Sequence, residues 1–189
     1  MLNFHYDIEQ SLSVLKKGGL LLYPTDTIWG IGCDATNESA VAKIYKLKNR
    51  VDSKAMIVLV TKKQDVLKHV AALDLAVFDY LNETKKPTTV IYQNAIGFAE
   101  NLLAEDSSIG IRICKDDFCR QLIKRFRKPI VSTSANISGN NSPQNFDGID
   151  LQIRNGVDYI VKHRQDEKII ALPSSIIKWE NGKVQILRY

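Results

Sequence analysis

Short apolar runs alternate along the chain with segments of helical periodicity, and this alternation constrains the fold more than any other feature. Runs of three to five residues suit buried strands, because helices usually need ten or more residues. The last two runs flank Asn181-Gly182, a sequence that favours a tight hairpin turn. We predict strands at residues 20–23, 56–60, 88–92, 109–113, 130–132, 159–161, 176–179 and 184–187.

The intervening segments carry apolar residues at helical spacing. The first helix is expected to begin at an Asp7 cap, with Gln10 completing a capping box, and to end before the glycine pair at 18–19. Further helices are expected at 37–48, at 66–81 as one helix or as two with a break near 73–74, from an Asp116 cap to residue 126, and at 151–154. Strands and helices in this order predict an α/β fold with a mixed sheet, and 189 residues without a linker predict a single domain, 1–189.

The amino-acid composition argues against a disordered, a disulfide-rich or a membrane-spanning protein. The apolar share of 44% and the charged share of 25% are those of a globular chain, which argues against extensive disorder. Three cysteines without paired spacing favour a reducing, cytoplasmic location, and no apolar run is long enough for a membrane span. The net charge of +5 is compatible with an anionic partner such as a nucleotide or RNA, without requiring one.

The first segment with chemical potential is Pro-Thr-Asp-Thr-Ile-Trp-Gly-Ile-Gly at residues 24–32. It places hydroxyls, one carboxylate and two glycines after a buried strand, and ligands of open α/β sheets favour such strand ends. Glycine permits close approach of the backbone to a ligand. An equally open interpretation is a Ser/Thr/Asp turn that serves only its own backbone.

The second segment is a basic connector, Lys48-x-Arg50 followed by Lys54. Two residues span roughly 200° around a helix, so Lys48 and Arg50 converge only if the helix ends near Leu47 and the chain then runs extended. Three cations in that arrangement would suit a triphosphate. Alternatively, they form a solvated helix end whose charges complement the helix dipole.

The third segment, Ser-Thr-Ser-Ala-Asn-Ile-Ser-Gly at residues 132–139, also follows a predicted strand and offers neutral donors and acceptors. A tightly turned, capped loop is the alternative interpretation. Arg112 lies within the strand predicted at 109–113, between two isoleucines. Its charge needs an anionic partner if the side chain is buried, although an exposed sheet face would also accommodate it.

Several enzyme classes are not supported by the sequence. The three histidines, His5, His69 and His163, have no metal-ligand spacing. No phosphate-binding loop of the G-x-x-x-x-G-K-[ST] type and no G-x-S-x-G nucleophile elbow occurs.

Taken together, the three segments resemble the YrdC/TsaC family of threonylcarbamoyl-AMP synthases. The family pattern is similar to Pro-Thr-Asp-Thr-x-Tyr-Gly-Leu-Gly, then Lys-x-Arg, then Ser-x-Asn-x-Ser-Gly. Each motif alone is weak, but their order and their placement at strand ends are specific. The resemblance covers nearly the whole chain and corresponds to the short, single-domain form. It implies a twisted, open α/β sheet with flanking helices and a concave, basic surface.

The resemblance also implies a reaction. L-threonine, bicarbonate and ATP give threonylcarbamoyl-AMP and pyrophosphate, with Mg²⁺ expected to accompany ATP. A separate, downstream transferase would then move the threonylcarbamoyl group to tRNA. The sequence offers no obvious general base, so catalysis is expected to rest on positioning and charge stabilisation.

Residue by residue, the resemblance implies two groups. Residues expected to contact threonine are Thr27, Arg112, Ser134 and Ser174. Residues expected to hold ATP are Lys48, Arg50, Lys54, Ser108, Asn136, Gln144 and Arg188, of which Lys48 and Arg50 would be catalytic.

The chain departs from the family pattern at a few positions. Trp29 replaces the usual tyrosine, and Ala55-Met56 replaces a frequent Pro-Leu. Leu59 stands where a polar residue can occur, and Gln144 replaces a threonine. Two other functions stay open: a non-catalytic module that binds tRNA or double-stranded RNA, and a carbamoyl-transfer enzyme that acts on another acceptor.

Overall fold

The structure is a computed structural model that describes residues 4–50, 56–168, 170, 172–180 and 182–189. Its helices are α1 (His5–Lys16), α2 (Glu38–Lys48), α3 (Lys63–His69), α4 (Ala76–Glu83), α5 (Asp117–Phe126) and α6 (Leu151–Asn155), with a short 3-10 helix at Glu100–Leu102. Its strands are β1 (Leu21–Tyr23), β2 (Gly30–Gly32), β3 (Ile57–Val60), β4 (Thr88–Tyr92), β5 (Ile109–Ile113), β6 (Ile130–Ser134), β7 (Tyr159–Ile160), β8 (Ser175–Glu180) and β9 (Lys183–Arg188).

Within the described residues, the strands form one sheet in the order β7-β1-β2-β6-β3-β5-β4-β8-β9. The pairs β1–β7, β3–β5 and β4–β8 are parallel and the others antiparallel, so the prediction of an α/β fold with a mixed sheet is confirmed. The segment at 66–81, left open as one helix or two, contains parts of two helices, α3 and α4.

Helices cover the two faces of the sheet unevenly. One apolar cluster joins α2, α3, α4 and α6 to side chains such as Leu22, Val58 and Ile111. The other joins α1 and α5 to Leu21 and Leu59 on the opposite face. Because Arg112 is paired in register with Leu59, it lies on the α1/α5 face, where it is buried rather than solvated.

Two local predictions were wrong. Residues 30–32 were expected to be loop but form β2, whose three residues pair with β1 and β6. Asp7 does not cap α1, which begins at His5 after an N-cap at Phe4. The Asp7 carboxylate is buried instead, and it accepts hydrogen bonds from the Tyr159 hydroxyl at 2.6 Å and from the His163 amide at 2.9 Å. A long-range partner has therefore replaced the local cap.

In the described parts of the chain, no helix has both the length and the apolar character required to cross a bilayer.

Candidate functional site

A cavity of about 180 Å³ lies on the α1/α5 face of the sheet, across the central strands. Ile57 and Ser132 face each other across β3 and β6, and Arg112 belongs to the neighbouring strand β5. Six residues singled out from the sequence line this central cavity: Thr27, Arg50, Arg112, Ser134, Ser174 and Arg188. The fold therefore brings together side chains that are as far as 161 positions apart in the sequence.

Arg112 is the most deeply buried charge in the central cavity, with 2% of its surface exposed. Its Nη2 lies 2.9 Å from Oδ1 of Asp26, which supplies the anionic partner that the sequence argument required. The contact is an ion pair by distance only, because the angles do not satisfy a hydrogen bond. Within the described residues, Nε and Nη2 of Arg112 have no hydrogen-bond acceptor. A buried guanidinium with unused donors is suited to a carboxylate ligand.

The segment after β1 is a tight turn whose hydroxyls serve its own backbone. The Thr25 hydroxyl donates to the Ile28 carbonyl at 2.8 Å and accepts from the Thr27 amide at 3.1 Å. The hydroxyls of Thr25 and Thr27 lie 3.0 Å apart. Thr27 also lines the central cavity, so its backbone role leaves the predicted contact with a ligand possible.

The far wall of the cavity comes from the C-terminal hairpin. Arg188 donates to the Ser174 carbonyl through Nε at 3.1 Å and through Nη2 at 2.9 Å. The Ser174 hydroxyl is buried against the Thr89 hydroxyl at 2.9 Å. Burial, and secondarily the charge of Arg112, lower the pKa of Arg188. An arginine whose charged form is disfavoured by burial and by a neighbouring arginine indicates a site suited to an anion.

Of the two cations of the basic connector that the structure describes, Arg50 lines the central cavity and Lys48 does not. Helix α2 continues to Lys48 and ends at Asn49, whose φ of 50° is left-handed, so the expected extended run after Leu47 does not occur. Arg50 lines the cavity, and burial lowers the pKa of its guanidinium.

Lys48 is buried beneath the third segment. Its ammonium donates to the carbonyl of Asn136 at 2.6 Å and also to that of Ser134. Burial first, and the Arg50 charge second, lower the pKa of Lys48 to about 7. Lys48 thus fastens the loop that carries Ser134, and it does not line the cavity itself.

Four other predicted ATP residues are not found at the central cavity. Asn136 turns inward, because its amide donates to the carbonyls of Ile137 at 3.0 Å and Asn140 at 2.7 Å. Ser108 is buried at the start of β5, where its amide donates to Asp106 at 3.1 Å. Gln144 lines a different cavity, described below, and Lys54 lies outside the described residues. Their roles stay predictions.

A second space, the side cavity, adjoins the turn after β1. Its volume is about 210 Å³, and Thr27, Ile28 and Trp29 line both it and the central cavity. The side cavity is completed by Gln144, Asn145, Arg164, Glu167 and Leu172, with Pro24, Thr25 and Asp26. The turn therefore forms part of the wall of both cavities.

Trp29 is held by a stack that the sequence did not reveal. The centre of its ring lies 4.9 Å from that of the Phe146 ring. The Arg154 guanidinium in turn lies 4.3 Å from the centre of the Phe146 ring. Other cavity residues were also missed: Ser142 and Pro173 carry no motif, whereas Ser132 and Thr133 belong to the third segment and could have been included. The pairing of Asp26 with Arg112 had no local signal.

The site does not fit a resident metal ion. Among the described residues, the lining of the central cavity contains hydroxyls and arginines but neither an aspartate nor a glutamate, and Asp26 is paired with Arg112. In the described parts of the chain, no cluster of three or more histidine, cysteine, aspartate or glutamate side chains could hold a metal. Mg²⁺ would therefore have to arrive with the phosphates of a nucleotide.

A separate basic groove of about 340 Å³ lies at the opposite ends of β3 and β6. Val60 and Pro129 form part of it, whereas Ile57 and Ser132 belong to the central cavity. Its charged lining is strongly cationic, with Lys62, Lys68, Lys124, Arg127 and Lys128 against one carboxylate, Asp65.

The chain is similar to known proteins both in sequence and in fold. A family profile described as Sua5/yciO/yrdC, telomere recombination, matches residues 13–189. A protein of Methanocaldococcus jannaschii that carries the provisional name threonylcarbamoyl-AMP synthase is 35% identical over 181 residues, covering 94% of this chain and 84% of the relative. The threonylcarbamoyl-AMP synthase of Pseudoalteromonas translucida is 29% identical over 182 residues, covering 94% and 95%.

Among solved structures, P. abyssi Sua5 complexed with L-threonine superposes with a TM-score of 0.87 at 21% identity. The match covers 97% of this chain and 54% of that one, so the chain spans about half the length of that protein. At this identity the likeness establishes the shared fold, a twisted, open mixed sheet with flanking helices. On the family profile and the sequence relatives together, the chain belongs to the Sua5/YciO/YrdC family.

Proposed function

We propose that the chain is an L-threonylcarbamoyladenylate synthase, which converts L-threonine, bicarbonate and ATP to threonylcarbamoyl-AMP and pyrophosphate. Named relatives catalyse this reaction, and the P. abyssi protein of the same fold binds L-threonine. The observation that carries the proposal is the buried Arg112 guanidinium, whose Nε and Nη2 have no hydrogen-bond acceptor among the described residues. An amino-acid carboxylate is the ligand that such a fork recognises.

The size of the cavity supports the same assignment. A volume of about 180 Å³ is smaller than the roughly 300–1,000 Å³ that drug-sized ligands occupy. The enclosed part therefore suits a small amino acid, with Ser134 and Ser174 supplying hydroxyls and Thr27 at its edge. A nucleotide would extend across the open side, where Arg50 and Arg188 stand.

The chemistry proceeds in three steps. Protonated bicarbonate first loses water to give carbon dioxide. The amine of threonine then adds to the carbon of carbon dioxide, which gives a carbamate and releases a proton. A carbamate oxygen then attacks the α-phosphorus of ATP, forming a new P–O bond as the bond to the bridging oxygen of pyrophosphate breaks. We assign the stabilisation of the phosphate charge to Arg50 and Arg188, because preorganised cations act where charge develops.

Lys48 contributes differently from the role implied by the resemblance. Its ammonium holds the Ser134 and Asn136 carbonyls, so we assign it to building the wall of the cavity. A direct phosphate contact by Lys48 would require these bonds to be exchanged. Mg²⁺ bound to ATP, a downstream transferase that accepts the product, and a cytoplasmic location complete the proposal. The free and buried state of Cys33, Cys114 and Cys119 agrees with that location.

Pyrophosphate release from ATP and bicarbonate, measured with each of the twenty amino acids in turn, tests this function. We expect release with threonine only. Arg50→Ala should lose on the order of 2–4 kcal/mol of transition-state stabilisation. Arg120→Ala is the matched control, since Arg120 is an exposed arginine whose nearest carboxylate oxygen, on Asp117, is 3.9 Å away. Release with another amine would instead indicate a carbamoyl-transfer enzyme for a different acceptor.

A second candidate function, RNA contact, is favoured by the basic groove. Among its cations, Lys68 and Lys128 face the carboxylates of Asp65 and Asp34. The remaining cations, Lys62, Lys124 and Arg127, have no ion-pair partner within the described residues. Unpaired cations outside the central cavity would suit the phosphate backbone of tRNA or double-stranded RNA.

Binding of a labelled tRNA at several salt concentrations tests this second function. Replacing Lys62, Lys124 and Arg127 by glutamine should weaken binding and flatten its salt dependence. Lys16, Lys17 and Lys183 replaced by glutamine remove the same charge from exposed positions elsewhere and serve as the control. Equal losses in the two triple variants would assign the binding to overall charge rather than to the groove.

A further inference from the structure

Arg164 carries three hydrogen bonds that join separate parts of the chain. Its Nη1 donates to the Thr25 carbonyl at 3.0 Å and to the Asp116 carboxylate at 3.1 Å. Its Nε donates to Glu167 at 2.7 Å. The side chain is three-quarters covered, and it stands on the side-cavity side of the turn after β1. Neither the sequence motifs nor the cavity that contains Arg112 includes it.

These contacts exclude a ligand role for Arg164. Two carboxylates, those of Asp116 and Glu167, already neutralise its charge at hydrogen-bonding distance. The guanidinium of Arg164 would therefore attract an anion in the side cavity only weakly, because its charge is already balanced. The hydrogen bond to the Thr25 carbonyl is the contact that connects Arg164 to the proposed active site.

The backbone of Arg164 supports a specific role for its side chain. Its φ is 67°, in the left-handed region that most side chains avoid. Such a conformation is strained and persists where the surrounding contacts determine it. The forked contacts to Thr25 and Asp116 supply such a determinant.

The position of the Thr25 carbonyl affects the neighbouring residues Asp26 and Thr27. The Thr25 hydroxyl accepts from the Thr27 amide and donates to the Ile28 carbonyl, so the turn moves as one unit. Asp26, between the two threonines, is the ion-pair partner of Arg112. A second tether acts at the same place, because the Cys119 thiol donates to the Pro24 carbonyl at 3.3 Å.

We propose that Arg164 is a positioning residue of the central cavity, which holds the Thr25 carbonyl from outside and thereby fixes Asp26 and Thr27 for the amino-acid substrate. Its kinetic consequences rest on the proposed function. Arg164 acts on threonine through Asp26 and Thr27, whereas the phosphate contacts are assigned to Arg50, which follows α2, and to Arg188 in β9. The effect should therefore fall on the amino acid rather than on ATP.

Kinetics of Arg164→Met test the inference, after threonine-dependent pyrophosphate release has been established for the wild type. The KM for threonine should rise roughly tenfold while the KM for ATP stays within about twofold, because misplacement of a substrate-positioning group by a fraction of an ångström has effects of this order. Arg164→Lys should recover part of the loss, since an ammonium reaches one of the two acceptors. Arg125→Met, which breaks an exposed pair with Glu9 at 2.6 Å, is the control and should match the wild type.

Hydrogen exchange separates this inference from the proposed function. The Thr27 amide, which donates to the Thr25 hydroxyl, should exchange faster in Arg164→Met than in the wild type, whatever reaction the protein catalyses. A wild type without threonine-dependent turnover would refute the proposed function and leave the exchange result to judge Arg164. Unchanged exchange at Thr27, or equal rises in the KM for threonine and ATP, would overturn the positioning role.

Discussion

Arg112 Nη2 lies 2.9 Å from Asp26 Oδ1, and this ion pair ties the middle of β5 to the turn after β1. Both side chains are largely withdrawn from water, so each charge depends on the other. Asp26→Asn should therefore lower the free energy of unfolding by about 3 kcal/mol, because it leaves a buried guanidinium without its counter-charge. Urea denaturation measures this loss.

The Asp26→Asn, Arg112→Met double variant provides the matching control for that prediction. Removing both charges abolishes the uncompensated one, so the double variant should be more stable than the sum of the two single losses implies. Additive losses would mean that the two residues do not stabilise each other. Both variants should lack threonine-dependent turnover.

Lys48 makes the stability of the protein depend on pH. Its folded pKa of about 7 is below the value of about 10.4 for an ordinary lysine. Between these values the unfolded chain binds a proton that the native chain does not, so the free energy of unfolding rises with pH. From pH 7 to 8, below the pKa of about 8.5 of an ordinary thiol, the rise from Lys48 should be about 1 kcal/mol.

Lys48→Met tests this pH dependence. The variant should show a flatter profile than the wild type over the same interval, measured by urea denaturation in buffers of matched ionic strength. An identical slope in both proteins would contradict the assignment to Lys48.

Gly32 occupies a position where a side chain has no room. A Cβ there would lie 2.5 Å from Cε1 of Tyr23 and 2.5 Å from the Val131 carbonyl oxygen. Gly32→Ala should cost about 2 kcal/mol, because β2 must shift within the sheet. Gly148→Ala is the control, since its nearest neighbour, Pro143 Cβ, is at 3.6 Å. Thermal unfolding compares the two variants, and a Gly32→Ala midpoint equal to that of the control would show that the sheet relaxes freely.

Arg154 holds the loop that carries Phe146 against Trp29. It donates to the carbonyls of Phe146 at 2.6 Å, Asp147 at 2.9 Å and Ile149 at 3.0 Å. Arg154→Met should cost about 2 kcal/mol and speed hydrogen exchange at the Ile149 amide, which donates to the Phe146 carbonyl. Exchange rates as slow as those of the wild type would show that the aromatic stack alone orders the loop.

Local signals predicted the fold where the partners were also local. Asn37 caps α2 by accepting from the Ala40 amide at 3.1 Å, and Asp116 caps α5 by accepting from the Cys119 amide at 2.8 Å. The strands β4 and β5 have the predicted bounds, 88–92 and 109–113. Each of these helices and strands has sufficient length, a clear apolar pattern and a clear end in the sequence. Contacts with distant parts of the chain therefore alter their bounds little.

Long-range contacts decided the rest. The strand β2 is only three residues long and two of them are glycine, so its pairing with β6 had no local signature. The site was predicted in part for the same reason. The resemblance named the arginines that meet in the central cavity. It did not indicate that Lys48 bonds to the carbonyls of the third segment, and the tether from Arg164 to Thr25 spans 139 positions.

In the turn after β1, Thr27, Ile28 and Trp29 line both the central cavity and the side cavity. A compound lodged in the outer recess would press on the same three residues that frame the inner one. It would therefore inhibit by deforming the amino-acid pocket without competing for the arginines. The side cavity is therefore a second candidate site for inhibitors of this protein, separate from the arginines of the central cavity.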